Sequence, residues 1–280
     1  MRCCACSAVR SFTSSLPPAD CPWNRVPAPG SAAPHRGTAE PLPRDTLPAV
    51  TLKLLALRGV DYRAIIFDLD GTLIDHVAAA GRAARTWSRE LGFTGDQTDR
   101  WFEIERRWFD AYERGLVSHP EQRRGRTREF TGDDTLTDAE CDEIFGRFLT
   151  LYREAWTAFP DAEPALRRAL ATGARVGVLT NSVAEVQSAK LSRTGLDLPG
   201  VRLLASGDLG VAKPRPECYR KALSILGVAP HEALMVGDSH VNDVAGPRSA
   251  GMTAVWLNRE GLPAVAGESG IRSLDEFLRT

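Results

Sequence analysis

Lysine is scarce in this chain. Only four of its 35 basic residues are lysines, Lys53, Lys190, Lys213 and Lys221, so the cationic surface is almost wholly arginine and each lysine stands out. Excess charge is lacking too. The 35 basic residues face 36 acidic ones, a net of −1. That gives no sign of the basic surface of a nucleic-acid binder or of a protein held on an anionic membrane. No apolar run approaches the roughly 18 residues that span a bilayer. Histidine is sparse, five in 280 residues, which counts against a site built on imidazole ligands. The six cysteines make no disulfide framework, because Cys3, Cys4, Cys6 and Cys21 crowd one end while Cys141 and Cys218 stand alone. Cys3-x-x-Cys6 has no second pair at zinc-finger spacing. Free thiols and a reducing cytoplasm are the expectation.

What remains is ordinary for a globular protein of one or two domains, with 43% hydrophobic and 25% charged residues. Residues 1–48 hold nine of the 18 prolines, spaced by Ser, Ala and Gly without periodicity. Such a segment buries too little apolar surface to offset its ordering entropy, so residues 1–50 are expected to be a disordered extension. It reads as a transit-like leader or as sequence upstream of the true start. Thr51 to Leu57 reads as a short strand or a helical turn before the domain proper.

Tyr62 to Phe67 reads as a buried strand. It ends in Asp68-Leu69-Asp70-Gly71, and if strand geometry continues, both carboxylates share one face at the carboxyl end. A long helical block follows over roughly 76–159. In it Trp101, Ile104, Trp108 and Tyr112 mark one amphipathic face, and Ser118-x-x-Glu121 and Thr137-x-x-Glu140 have the form of capping boxes. The block's aromatics read as the core of a small helical bundle. Arg106, Arg107, Arg123, Arg124, Arg126 and Arg128 read as a solvated face, with one or two able to reach an anionic substrate. From Asp161 helices and strands alternate. Helices are expected at Pro164–Ala171, Val183–Thr194, Pro216–Leu226 and His240–Ala250, with a last helical turn at Leu274–Leu278. Strands are expected at Ala174–Leu179, Val201–Ala205, Ala233–Val236 and Thr253–Leu257. Such alternation implies a parallel α/β sheet with a helical insertion after its first strand.

Three of these strand ends deliver polar residues to one rim, where open α/β sheets place ligands. The first brings Asp68 and Asp70, the second Thr180 and Asn181, and the fourth Asp238, with Asp243 shortly after it. Lys213 lies in a Lys-Pro-Arg-Pro loop. Carboxylate oxygens favour a hard cation such as Mg²⁺, which binds one or two carboxylates together with phosphate. Phosphoryl transfer needs charge neutralisation and a nucleophile, and an aspartate can serve.

Asp68-Leu69-Asp70-Gly71-Thr72-Leu73, Leu179-Thr180-Asn181, Lys213-Pro214 and Gly237-Asp238-Ser239-His240-Val241-Asn242-Asp243 resemble, in order, the four motifs of the haloacid dehalogenase-like (HAD) hydrolase superfamily. The resemblance covers about residues 62–258. It implies a Rossmann-like core over 51–75 and 160–280, and a helical cap over 76–159 of the kind found in phosphoglycolate phosphatases and nucleotidases. It further implies that Asp68 attacks phosphorus and ligates Mg²⁺. Asp70 would be the acid and base, with its backbone carbonyl on the metal. Thr180 and the Asn181 amide would hold the phosphoryl oxygens, Lys213 would neutralise charge, and Asp238 and Asp243 would complete the metal site. Members that cleave carbon–halogen bonds usually lack an acid at the place of Asp70. The expected activity is therefore Mg²⁺-dependent hydrolysis of a small phosphorylated metabolite through an aspartyl-phosphate, by a monomer or homodimer. The alternatives are a phosphosugar mutase of the same superfamily and a non-catalytic protein that binds a phosphorylated ligand.

Overall fold

The structure, a computed structural model, describes residues 61–277 apart from 266 and 269. The expectations for residues 1–50, Thr51–Leu57, four of the cysteines and Leu278 lie outside the described residues. The elements run β1 (Ala64–Phe67), α1 (His76–Glu90), α2 (Thr98–Glu113), α3 (His119–Thr131), α4 (Asp138–Glu154), α5 (Ala162–Ala171), β2 (Arg175–Thr180), α6 (Ala184–Thr194) and β3 (Val201–Ala205). Next come α7, a single helical turn at Ser206–Leu209, then α8 (Pro216–Leu226), β4 (Ala233–Gly237) and β5 (Thr253–Trp256). Strands and main helices fall where the sequence places them, within a few residues at each end.

The five strands form one parallel sheet in the order β3-β2-β1-β4-β5. Alternation along the strands feeds two cores. Ile65 and Phe67 join Val176, Val178, Leu234 and Val236 on one face, under α5 and α6. Ala64 and Ile66 join Leu179, Met235, Tyr219 and Leu223 on the other, under α8. This coverage on both faces explains why β1 is a run of apolar residues without polar alternation. Chain order reverses at β1, which lies between β2 and β4, so the sheet's switch point falls at its carboxyl end.

Helices α1 to α4 form a bundle between β1 and β2, with a core of its own around Trp87, Trp101, Phe130, Phe145 and Phe148. Trp87 stacks on Phe130 at 4.9 Å and meets Trp101 edge-on at 5.2 Å. Both capping boxes are present: the Ser118 and Glu121 side chains exchange bonds with each other's backbone amide, as do those of Thr137 and Glu140. The segments leading into and out of the bundle pair with each other. Asp75 N–H donates to Thr157 at 3.0 Å and Phe159 N–H to Leu73 at 2.9 Å.

Some local expectations need correction. Tyr112 is 37% exposed, because it lies beyond the buried rings at the end of α2, against Phe109 and His119. The arginines are no simple solvated face. Arg126 is buried, pairs with Glu105 at 2.7 Å and lies over Trp101 and Phe145, while Arg124 and Arg128 grip Asp138. The single helix expected over His240–Ala250 is instead a wide π-type turn at His240–Ala245 followed by one α-turn at Gly246–Ser249. Pro247 has no amide hydrogen to continue an α-helical ladder, and its ring crowds the preceding turn. Among the described residues no helix is long and apolar enough to cross a membrane.

Candidate active site

Asp68 follows the last residue of β1, and its N–H still donates to Val236 at 2.9 Å, which fixes its backbone against β4. The strand ends there, and the chain turns through Gly71 at φ +90°. A Cβ on Gly71 would collide with the Asp238 carboxylate, so the close approach of β1's turn to β4's end requires glycine. Asp68 and Asp70 therefore do not project together as a continued strand would place them. Asp68 faces the end of β4, and Asp70 turns toward α6.

Around Asp68 the structure assembles three carboxylates. One oxygen from each of Asp68, Asp238 and Asp243 lies within 4.8 Å of the others. Lys213 donates to Asp68 and to Asp243, both at 2.7 Å, from a side chain only 2% exposed. Asp243 also accepts from the Ser239 amide at 3.0 Å. Asp238 is clamped by Thr72, whose hydroxyl donates to its carboxylate at 3.2 Å and accepts from its amide at 3.1 Å. The Trp256 indole N–H donates to the Asp238 carbonyl at 2.8 Å.

The electrostatics are unbalanced. One lysine faces three acids. Burial, with Asp68 and Asp243 beside it, pushes the Asp238 carboxyl up to about 8. Burial likewise lifts Asp243 to about 6 against the pull of Lys213. The Lys213 ammonium, although buried, is held above its ordinary value by Asp68 and Asp243. Carboxylates this close, with no imidazole or thiol in the group, suit a hard divalent cation that would relieve their repulsion. The donor set fits Mg²⁺.

Asp70 stands apart from the trio. Lys190 donates to one of its oxygens at 2.6 Å and the Gln187 amide to the other at 3.0 Å. Burial alone would raise the Asp70 carboxyl, but Lys190, His76 and the Gln187 bond hold it below the ordinary carboxylate value. The same Gln187 nitrogen donates to the Thr180 hydroxyl at 2.7 Å, which leaves the Thr180 proton available to an incoming oxygen. The Asn181 side chain is spent on the Lys213 backbone, donating to its carbonyl at 2.9 Å and accepting from its amide at 2.8 Å. That bracket places the lysine at the end of a loop 32 residues further along.

Thr72, Gln187 and Lys190 have no site role in the reading of the sequence. Thr72 stands inside the first motif, and Lys190 is conspicuous only as one of four lysines. Gln187 carries no signal in the sequence.

A sheet wound on both faces, with a carboxylate trio and a buried lysine at its switch point, is the frame of a Rossmann-like α/β enzyme. The comparisons sharpen this. A family model for haloacid dehalogenase-like hydrolases matches residues 62–251, and the chain belongs to that family. It is 43% identical over 107 residues to a phosphoserine phosphatase of Thermus thermophilus, a match over 38% of this chain and 43% of that one. It is 26% identical to the pyrimidine 5'-nucleotidase YjjG of Escherichia coli, over 76% of this chain and 96% of that one. It is also 29% identical to (S)-2-haloacid dehalogenase 4A of Burkholderia cepacia, over 72% and 85% of the two chains. Among solved structures, the magnesium-bound HAD-hydrolase YfnB of Bacillus subtilis shares the fold with a TM-score of 0.66 at 24% identity, over 77% of this chain and 96% of that one.

Proposed function

We propose that the chain is a Mg²⁺-dependent phosphatase acting on a small phosphorylated metabolite. The observation that carries this reading is Asp70: a fourth carboxylate, apart from the trio and bonded to the same amide as Thr180. Hydrolysis of a phosphate ester needs a proton donor for the leaving oxygen and a base for water, whereas displacement of a halide needs no donor. The likeness to phosphatases and a nucleotidase supports the same reading, and the likeness to a dehalogenase is the reason Asp70 decides the choice.

In this reading Asp68 attacks phosphorus as Asp70 protonates the departing alkoxide, breaking the ester bond and forming an aspartyl-phosphate. Water then attacks phosphorus, Asp70 takes its proton, and the bond to Asp68 breaks to release inorganic phosphate. Thr180 and the Asn181 amide hold the phosphoryl oxygens. Lys213 keeps the Asp68 carboxylate aimed, because its ammonium is fixed by Asp243 on one side and the Asn181 bracket on the other. An arriving phosphoryl dianion would raise the proton affinity of Asp70, preparing it to act first as an acid. Asp68, Asp238, Asp243 and the Asp70 carbonyl would hold Mg²⁺, which supplies charge neutralisation to the phosphoryl group. Residues 76–159 serve as a cap over the core that flanks them in the chain, bending near His76 and Pro160, close to where the two connecting segments pair.

The test is phosphate release from 4-nitrophenyl phosphate with and without Mg²⁺, comparing wild type with Asp68→Asn. The variant is expected to lose at least about a thousandfold in kcat. Near-normal turnover would remove Asp68 as the nucleophile. Release of halide from a 2-haloacid by wild type, with no release of phosphate, would favour dehalogenation.

A further inference from the structure

Lys190 is one of four lysines in an arginine-rich chain, yet its side chain is only 4% exposed. Burying an ammonium costs several kcal/mol unless partners compensate. Here there are three. Its Nζ donates to Asp70 at 2.6 Å and lies 5.6 Å from the centre of the Tyr152 ring and 5.4 Å from that of Trp156. Cation–π contacts of this geometry gain strength when desolvated. Gln187, three residues earlier on α6, takes the other oxygen of Asp70. One helix face thus holds both oxygens of the carboxylate.

The two rings come from elsewhere. Tyr152 belongs to α4, and Trp156 lies in the segment leaving the bundle. Tyr152 stacks on Phe148 at 6.2 Å, and Phe148 packs on Trp87 and Trp101 in the bundle core. Lys190 therefore touches Asp70 and the inserted bundle with the same nitrogen.

We propose that Lys190 is a positioning residue for Asp70, orienting the carboxylate toward the leaving oxygen from an aromatic seat that the bundle supplies. The assignment rests on the reading of Asp70 as the acid of a phosphatase. A lysine acting through Asp70 matters most when the leaving group needs a proton. An ion pair serving stability alone has no reason to distinguish one ester from another.

The experiment compares kcat/KM, which reports the steps through leaving-group departure, for 4-nitrophenyl phosphate and for the alkyl phosphate that wild type turns over fastest in a panel. Lys190→Met keeps the apolar stem and removes the charge. General acid catalysis is worth about 10²–10⁴-fold, and misorientation without loss of the group forfeits part of that. The expected loss is about 10–100-fold on the alkyl ester and under about threefold on the aryl ester, with far-UV circular dichroism at the assay temperature matching wild type. Lys190→Gln, which keeps a donor, is expected to show the same selectivity at smaller size, and it carries the test if the Met variant fails to fold. Equal losses on both esters, or none on either, would overturn the assignment while leaving the phosphatase reading standing. No wild-type turnover of any ester would overturn both.

Discussion

The carboxylate trio makes stability of the metal-free protein depend on pH in a direction opposite to that of most paired acids. Asp238 titrates at about 8 in the fold against an ordinary 3.8. Between those values the folded chain keeps a proton that the unfolded chain has released. Stability is therefore fully present at low pH and falls as pH rises toward 8. From pH 5.5 to 8 the unfolded carboxyl is ionised throughout, and the folded one is driven to ionise over 2.5 pH steps of 1.36 kcal/mol, a loss of about 3 kcal/mol. Asp243, lifted to about 6, adds to the loss in the lower part of that window. Asp70, whose value is lowered, loses its contribution only at pH below the window. Lys213, whose value is raised, keeps its contribution throughout the window. For a structured unit of this size the loss corresponds to a melting point about 6–12 °C lower at pH 8 than at pH 5.5. The assay is urea or thermal unfolding in chelator at both pH values, for wild type and Asp238→Asn. The variant is expected to flatten most of the dependence. Mg²⁺ at a hundredfold over its Kd should restore about 2.7 kcal/mol to wild type at pH 8 and much less to the variant. An equal pH slope in the two proteins would refute the placement of Asp238 in a repulsive trio. No shift with Mg²⁺ would refute the metal site.

Two further perturbations follow from the packing. Trp87→Ala removes a ring that contacts Trp101, Phe130 and Phe148, at a cost of about 3–5 kcal/mol. A lower melting point together with faster proteolysis inside residues 76–159 is expected, and an unchanged melt would mean that the bundle core is not built around this ring. Gly71→Ala strains a backbone at φ +90° and drives a methyl group into Asp238. Its expected stability cost is only about 1–2 kcal/mol, but Mg²⁺ stabilisation measured by thermal shift should be lost. Retained stabilisation would show that the turn can move away from β4.

How far the sequence discloses the site depends on how each residue is delivered. Asp68, Thr180 and Asp238 sit at the ends of strands, so an apolar run followed by a polar residue reveals them directly. The parallel register then brings them together, with Phe67 beside Val178 and Val236. The fold was legible for the same reason, since helices and strands that alternate within a single chain admit few arrangements. Lys190 is a different case. On an amphipathic helix it reads like any surface lysine, because its direction depends on where α6 lies over the sheet. The pairing of Phe67 with Val178 brings the turn after β1 level with the start of α6. Positions 187 and 190 then overlie Asp70, more than 110 residues distant. The same limit explains Arg126, since a run of arginines carries no mark of the one that a Glu105 carboxylate and two rings draw inward. Residues that act are thus readable where the backbone ends an element, and hidden where a helix face must be aimed. In this chain the hidden set includes the contacts by which the inserted bundle reaches Asp70 through Lys190.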